Sequence, residues 1–299
     1  MLSRDAFAPV TLGDSQRFLD LYREYPPEHS DCAFTTMVCW NSYAHYEYAE
    51  VERSIVLAST IDGNTSFRVP IGPEDDSVLS ALIDLARKEG GERPLYVFGE
   101  RAADWLRRFN PSITLHPEQD YFDYIYATRN LALLPGKKYL SIRRARNRFR
   151  RECQYTVEPI VPDRLDEVRT FLDQWCKWKH CEEKPVLNFE KDAVLFAIDH
   201  FSELGLSGLS ITVDNQIAAM SVFEELNPGC AVVHFEKGLP ECRDIYREIN
   251  CQTALHLMDR YPCINRESDL GLPGLREAKM RYHPDHFVEV YSIRQEDLP

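Results

Sequence analysis

Residues 265–284 read NRESDLGLPGLREAKMRYHP, a segment that combines many charges with two glycines. This composition is typical of a strand end and a glycine-bearing loop that leads into a helix, and it argues against a plain core element. Pro273 suits the first turn of that helix. The surroundings of the segment recur in weaker form about 165 residues earlier, and a fixed offset of this kind indicates an internal repeat.

Both halves of the repeat show the same order of predicted elements. The first elements that the two halves share are two apolar strands around a turn, at Ile55–Gly72 and at Ala219–Gly238. The elements that follow are helices at 78–88 and 244–260, short strands at 95–98 and 263–265, and closing strands at 121–126 and 286–291. Antiparallel strands mixed with helices predict an α+β fold.

This order of elements resembles the GCN5-related N-acetyltransferase (GNAT) fold, present twice. We therefore predict two tandem GNAT-like domains, each a mostly antiparallel mixed sheet flanked by helices, at residues 1–130 and 131–299. The second half carries the more polar motifs, so we expect it to hold the site and the first half to be structural. Two unrelated α+β domains are the alternative.

Composition sets limits on the class of protein. A chain of 299 residues with 44% hydrophobic and 28% charged residues is long enough for two globular domains. It contains neither a signal-peptide pattern nor an apolar run of about 18 residues, so we expect a cytoplasmic protein without a membrane segment. The nine cysteines are odd in number, and the pair around His180 fits no standard zinc spacing, so neither a disulfide framework nor a metal site is expected.

A basic helix is predicted at residues 137–151, where eight of fifteen residues are Lys or Arg, although the chain as a whole carries a net charge of −13. At helical spacing, Ile142 and Phe149 lie on an apolar face, whereas Arg144, Arg148 and Arg151 form a second face. A row of guanidinium groups is suited to the phosphates of a tRNA backbone, a nucleotide or an anionic lipid head group. The alternative is that the helix pairs with acidic side chains of its own chain.

Polar residues at two strand ends are the candidate catalytic groups. His234 and Glu236 alternate onto one face of a strand, with Lys237 next to them. Asn265, Arg266 and Glu267 end the next strand and enter the glycine-bearing loop. Glu236 and Glu267 are the candidate general bases, and His234 is a candidate partner of a carboxylate. Lys237 and Arg266 are candidates for holding phosphate or carboxylate, and Asn265 and Arg266 for orienting an acceptor or an oxyanion. Structural ion pairs are the alternative.

Asn250 lies inside a predicted helix, where Asn is a mediocre helix former. Binding of a ligand is one explanation of this residue. A buried hydrogen bond to the neighbouring strand is the other.

Several of these motifs together resemble one family, the proteins related to the C-terminal domain of phosphatidylglycerol lysyltransferase. The resemblance covers nearly the whole chain. The motifs that carry it are Gly136-Lys137-Lys138, Asn147-Arg148-Phe149, Val233–Lys237, Asn265-Arg266-Glu267, Gly274-Leu275-Arg276 and Tyr282-His283-Pro284.

The resemblance implies a tandem acetyltransferase-like fold and an ancestry in aminoacyl transfer from aminoacyl-tRNA. In that family the last helix looks like a phosphate-facing helix, which makes Lys279 and Arg281 candidates for a tRNA or substrate phosphate; a solvated surface helix is the alternative. The lysyltransferase also carries a membrane-embedded region that this sequence lacks, so a lipid acceptor is disfavoured. The acceptor expected here is an unidentified small molecule.

The chain departs from the acetyltransferase pattern where coenzyme A would bind. The glycine-rich pyrophosphate motif is replaced by LPECRDIY at residues 239–246, with acidic residues in place of glycines. An aminoacyl-tRNA donor without any bound cofactor is therefore the leading expectation. An acyl-CoA N-acyltransferase with an unusual site, and a non-catalytic module that binds tRNA or an anionic metabolite, are the alternatives.

Overall fold

Two seven-stranded mixed sheets, each flanked by helices, form the framework of the chain in a computed structural model that describes residues 2–299. The elements up to residue 117 are β1 (Ala8–Pro9), α1 (Ser15–Glu24), α2 (Phe34–Cys39), α3 (Asn41–Ala44), β2 (Glu47–Val51), β3 (Ser54–Ile61), β4 (Asn64–Arg68), α4 (Asp76–Glu89), β5 (Leu95–Phe98), α5 (Glu100–Phe109) and β6 (His116–Pro117).

The elements from residue 123 onward are β7 (Asp123–Ala127), α6 (Thr128–Leu133), α7 (Leu140–Glu152), β8 (Tyr155–Pro159), α8 (Leu165–Lys179), α9 (Pro185–Asp199), β9 (Ser207–Val213), β10 (Gln216–Asn227), β11 (Cys230–Gly238), α10 (Ile245–Leu257), β12 (Cys263–Asn265), α11 (Pro273–Met280), β13 (His286–Val288) and β14 (Val290–Ile293). Short 3₁₀ turns join several of them.

The first sheet has the strand order β1-β2-β3-β4-β5-β14-β6. Its β3–β4 hairpin turns at Asp62-Gly63, where both residues have positive φ angles of 50° and 76°. Two positive φ angles are what a two-residue hairpin turn requires, and Asp-Gly is a preferred pair for it. Strands β4 and β5 then run parallel, with Phe67 opposite Leu95, and the core on one face of this sheet is closed by α4 and α5.

The second sheet has the order β13-β7-β12-β11-β10-β9-β8. The long β10–β11 hairpin forms its centre, and β12 is parallel to β11. Helices α6, α7 and α10 supply buried side chains to the core of this sheet, among them Leu131, Phe149 and Ile249.

The α+β prediction and the repeated order of elements are confirmed. The predicted strands at 95–98 and 263–265 are β5 and β12 without any shift of their bounds. The predicted helices at 78–88 and 244–260 are α4 and α10, each displaced by only a few residues at its ends.

The predicted boundary at residue 130 does not describe the two compact units. One unit comprises the chain through Asp123 together with residues 268–276 and 287–299, and the other comprises residues 124–267 and 277–286. The reason lies in the closing strands. Strand β7 ends the first repeat but belongs to the second sheet, next to β12, whereas β14 ends the second repeat but belongs to the first sheet, next to β5. Below, the two are called the first unit and the second unit.

Candidate active site

The second unit contains a place where two parallel strands separate. Parallel pairing joins residues 230–232 of β11 to residues 263–265 of β12, and β11 then continues as far as Gly238. The chain therefore leaves the sheet after β12, while the neighbouring strand β11 continues beside it. The predicted residues of both strand ends lie here.

A β-bulge on β11 sets the direction of His234. Val222 of β10 pairs with Phe235, and the next residue, Phe223, pairs with Val233, so that His234 is the extra residue between them. A bulge of this kind re-aims a side chain relative to the regular alternation of the strand. His234 points to carboxylates on both sides as a result.

His234 lies between two glutamates in a buried position. Its Nδ1 is 2.9 Å from the carboxylate of Glu267, and its Nε2 is 2.9 Å from the carboxylate of Glu224. The imidazole side chain is 3% exposed, whereas Glu267 is 30% exposed. Burial opposes a charge on the ring, but the hydrogen bonds to Glu224 and Glu267 outweigh it and raise the pKa of His234 to about 10. At neutral pH the ring is thus an imidazolium that donates to Glu224 and Glu267, and neither ring nitrogen is free to accept a proton.

This pairing makes a prediction about stability and pH. The pKa of His234 rises from 6.5 to about 10 on folding, so its contribution is complete below pH 6.5 and is lost as the pH rises through about 10. We expect the difference in unfolding free energy between the wild type and His234→Gln to shrink by up to about 4 kcal/mol between pH 6 and pH 10.

Urea denaturation of both proteins at several pH values measures that difference. Tyrosines and lysines that titrate in the same range are common to both proteins and cancel. A difference that stays constant from pH 6 to pH 10 would show that His234 is neutral in the folded protein.

Glu236 and Arg266 form a second buried pair one step along the strand. Arg266 Nη2 is 3.0 Å from Glu236 Oε1, with side chains 14% and 11% exposed. The guanidinium group also lies over the ring of Tyr282, at 5.2 Å from its centroid. Asn250 of α10 donates from Nδ2 to Glu236 at 3.2 Å, which confirms the predicted hydrogen bond to the neighbouring strand. Its Oδ1, however, is buried and has no hydrogen-bond partner among residues 2–299.

Asn265 and Lys279 do not fit their predicted ligand roles. Asn265 is fully buried, and its Oδ1 accepts from the backbone N–H of Glu267 at 2.7 Å. Lys279 is 6% exposed, and its ammonium group donates to the carbonyl oxygens of Arg266 and Glu267 at 2.5 and 2.9 Å. Both residues hold the backbone that follows β12, where Glu267 has a φ angle of +57°. They hold the backbone of Arg266 and Glu267 in place and have little or no exposed surface for a ligand.

Lys237 is held at the end of β11. It forms an ion pair with Glu190 of α9, and its ammonium group lies 4.5 Å from the centroid of the Trp175 ring. Arg281 at the end of α11 is exposed and bonds to Glu277 at 2.5 Å, one helical turn away. Of these two predicted phosphate-binding residues, Arg281 is the one in contact with solvent.

The basic helix α7 contains both paired and exposed arginines. Ile142 and Phe149 are buried, as the spacing predicts. Arg148 bonds to Asp244 from Nε at 2.8 Å, so it is not free to meet a phosphate. Arg144 and Arg151 are exposed and make no ion pair within the described part of the chain. They lie seven residues apart, on one face of the helix.

Glu224 is a site residue that sequence reasoning missed. It lies on β10, in a strand whose neighbours are mostly apolar. A carboxylate within an apolar strand was the available signal, but its partner is 10 residues away across a hairpin with an irregular register. The pairing of Glu224 with His234 therefore becomes visible only in the tertiary structure.

Metal-binding clusters and membrane-spanning helices are both absent from residues 2–299. No group of three or more His, Cys, Asp or Glu side chains in residues 2–299 is arranged to hold a metal ion. Within the same range, every helix is too short or too polar to cross a bilayer.

Comparison with known families identifies the chain. The profile of the family described as phosphatidylglycerol lysyltransferase, C-terminal, matches residues 22–294. The chain therefore belongs to this family, as its motifs indicated. None of the curated proteins matches its sequence.

Solved structures show the same fold. A conserved protein of unknown function from Bacteroides thetaiotaomicron is similar, with a TM-score of 0.88 and 29% sequence identity, over 96% of this chain and 99% of that one. The C-terminal domain of a proposed lysylphosphatidylglycerol synthetase from Agrobacterium fabrum gives a TM-score of 0.66 at 15% identity, over 95% of this chain and 92% of that one. A tandem GNAT protein from the clavulanic acid biosynthesis pathway gives 0.50 at 12% identity, over 97% and 98%.

Proposed function

We propose that this protein is an aminoacyltransferase that moves an aminoacyl group from aminoacyl-tRNA to a small acceptor, with its active site in the second unit. The observation that carries the proposal is the buried, unpartnered Oδ1 of Asn250 beside the Glu236–Arg266 pair. An acceptor atom left without a donor within the chain takes one from water or from a ligand. An amino group is such a donor.

Charge alone does not choose between an amine and an anion at this place. The carboxylates of Glu224, Glu236 and Glu267 are matched in number by the cations of His234, Arg266 and Lys279. The preference for an amino group therefore rests on the acceptor atom of Asn250.

The transfer step assigns roles to two of these residues. The nucleophilic nitrogen or oxygen of the acceptor attacks the ester carbonyl of the aminoacyl group and loses a proton to Glu267, the most exposed carboxylate of the cluster. The new bond to the carbonyl carbon forms, the ester C–O bond breaks, and Glu267 returns the proton to the leaving ribose oxygen. While Glu267 is protonated, the imidazolium of His234 still has Glu224 as a counter-charge.

The proposal includes a duplicated acetyltransferase-like fold that no longer uses acyl-CoA. Support comes from the same order of elements in both halves. At the N-terminus of α10, where a GNAT protein would hold pyrophosphate, Asp244 is bonded to Arg148. An aspartate at that point repels an anionic phosphate, so the acyl-CoA alternative has less support. Because aminoacyl-tRNA is made in the cytoplasm, the proposal also places the protein there.

A tRNA titration tests the donor. We expect bulk tRNA to bind the wild type with an affinity that falls steeply with salt, and Arg144→Glu/Arg151→Glu to weaken binding at least tenfold and reduce the salt slope by about 2. Arg148 is left unchanged because its partner is Asp244. Affinity is measured by fluorescence anisotropy at two salt concentrations.

A matched control uses an arginine of the first unit. Arg53 is 71% exposed and pairs with an exposed glutamate, so Arg53→Glu makes the same type of charge change in the first unit. Its affinity for tRNA should equal that of the wild type. Absence of binding at low salt, or equal losses in both variants, would refute a tRNA donor held by α7.

A further inference from the structure

The first unit contains a groove on the polar face of its sheet. Side chains alternate along a strand, so that the buried Phe67 and Leu95 face the core while Ser66, Arg68 and Tyr96 face the opposite side. On that side they line a cavity of about 340 Å³. The sequence predicted a purely structural role for this half of the chain.

Arg68 is a buried cation in the wall of this groove. It is 5% exposed, and its Nη1 donates to the backbone carbonyl of Asp31 at 2.5 Å. The carboxylate of Asp31 is 3.7 Å from Nη2, which is beyond hydrogen-bond distance. Arg266 in the second unit, by contrast, has a carboxylate at 3.0 Å. A buried guanidinium without a close carboxylate is costly unless another anion meets it.

Aromatic rings surround this cation. The guanidinium carbon of Arg68 lies 4.9 Å from the centroid of Tyr46 and 5.0 Å from that of Phe98. Tyr96 stacks beside Phe98 with centroids 6.4 Å apart, and Tyr121 meets Tyr96 edge to face at 6.3 Å. Burial raises the pKa of Tyr46 to about 12, so its phenol stays neutral, and the phenol oxygen accepts a hydrogen bond from Arg68. The groove thus offers flat apolar surfaces next to a fixed positive charge.

We propose that this groove is a second ligand site, which binds a small ring compound through a carboxylate or phosphate on the ring. Arg68 would hold the anion with its planar, forked donors, and the rings of Tyr96 and Tyr121 would contact the planar body. The site lies within the first unit and is independent of the proposed transfer reaction.

The groove is lined by two carboxylates, Asp31 and Glu92, and by two guanidinium groups, of which Arg68 is the buried one. This buried charge favours an anion over a cation. Arg93 also lines the groove, with its guanidinium 3.1 Å from Glu118. That exposed arginine keeps a carboxylate partner, whereas the buried Arg68 has its carboxylate at the longer distance of 3.7 Å. A cationic ligand would meet Arg68 directly, so it would have to displace a charge that the fold has fixed in place.

Calorimetric titration with three probes tests the site. Phenyl phosphate carries both the ring and the anion, inorganic phosphate lacks the ring, and phenol lacks the charge. We expect phenyl phosphate to bind at least tenfold more tightly than either fragment. Arg68→Lys keeps the charge but loses the fork, and it should weaken phenyl phosphate at least tenfold.

A blocking variant covers the case in which Arg68→Lys does not fold. Ser66 is half-buried and lines the groove, so Ser66→Phe should fill it and abolish binding. Arg53→Lys, at an exposed arginine of the same unit, should bind like the wild type. If phenyl phosphate fails to bind at about 10 mM, or binds Ser66→Phe as well as the wild type, the site does not exist.

Discussion

Replacing Glu267 with glutamine is expected to lower the rate of aminoacyl transfer by about 10²–10⁴-fold, the range typical for loss of a general base. Glutamine keeps the size of the side chain and still accepts a hydrogen bond from His234. In the wild type, Nδ1 of His234 lies 2.9 Å from the carboxylate of Glu267. It cannot take a proton from the acceptor. The measurement follows labelled amino acids from charged bulk tRNA into acid-soluble products, with a small-molecule cell fraction as the source of acceptor.

Two comparisons separate chemistry from binding. The affinity of Glu267→Gln for tRNA should equal that of the wild type, because Glu267 pairs with His234 and not with Arg144 or Arg151. Glu182→Gln, at an exposed glutamate of the same unit, should retain the full rate. An undiminished rate in Glu267→Gln would remove it as the base. A wild type that binds tRNA but transfers no amino acid would leave the non-catalytic binding module.

Glu236→Gln should act differently from Glu267→Gln. Its carboxylate is occupied by Arg266 and Asn250, so the loss of charge releases Arg266 and mainly disturbs binding of the substrate. We expect a rise in KM together with a smaller fall in kcat, measured in the same transfer assay. Equal falls in kcat for both variants would show that Glu236 also serves in the proton transfer.

Local sequence patterns were sufficient for the elements of the fold but not for the assignment of strands to sheets. Alternating and helical periodicities placed β5, β12, α4 and α10, because each depends on neighbours in sequence. The closing strands β7 and β14 are short and apolar, and such a strand is compatible with either sheet. Their placement in the opposite sheet is a property of tertiary pairing.

The candidate site shows the same division. Sequence reasoning selected His234, Glu236, Arg266 and Glu267, which the structure brings together as two adjacent ion pairs. Polar residues at strand ends are conspicuous in a sequence. The burial of such residues cannot be read from the sequence. Asn265 was therefore predicted to be available to a substrate, although it is fully buried.

Replacing Glu248 with methionine is expected to lower the unfolding free energy by roughly 3 kcal/mol or more. Glu248 is fully buried on α10 and accepts from Arg146 Nε at 2.7 Å, Arg150 Nη2 at 2.9 Å and the hydroxyl of Tyr155 at 2.8 Å. Burial raises the pKa of Glu248, but hydrogen bonds from Arg150 and Arg146 outweigh burial and lower the pKa below 4.5. The contribution is therefore present above pH 4.5 and is lost as the pH falls through the lowered value.

Urea denaturation at pH 7 measures this loss, and Glu277→Met provides the surface control. Glu277 and Arg281 are 67% and 55% exposed, and such pairs contribute under about 1 kcal/mol. If the loss at Glu248 reflects an arginine left buried and unpaired, Glu248→Met/Arg146→Met should be more stable than Glu248→Met alone, because Arg146 is 13% exposed and its removal eliminates the stranded charge. If the double variant is instead the less stable of the two, packing of the side chains and not their charge attaches α7 to α10.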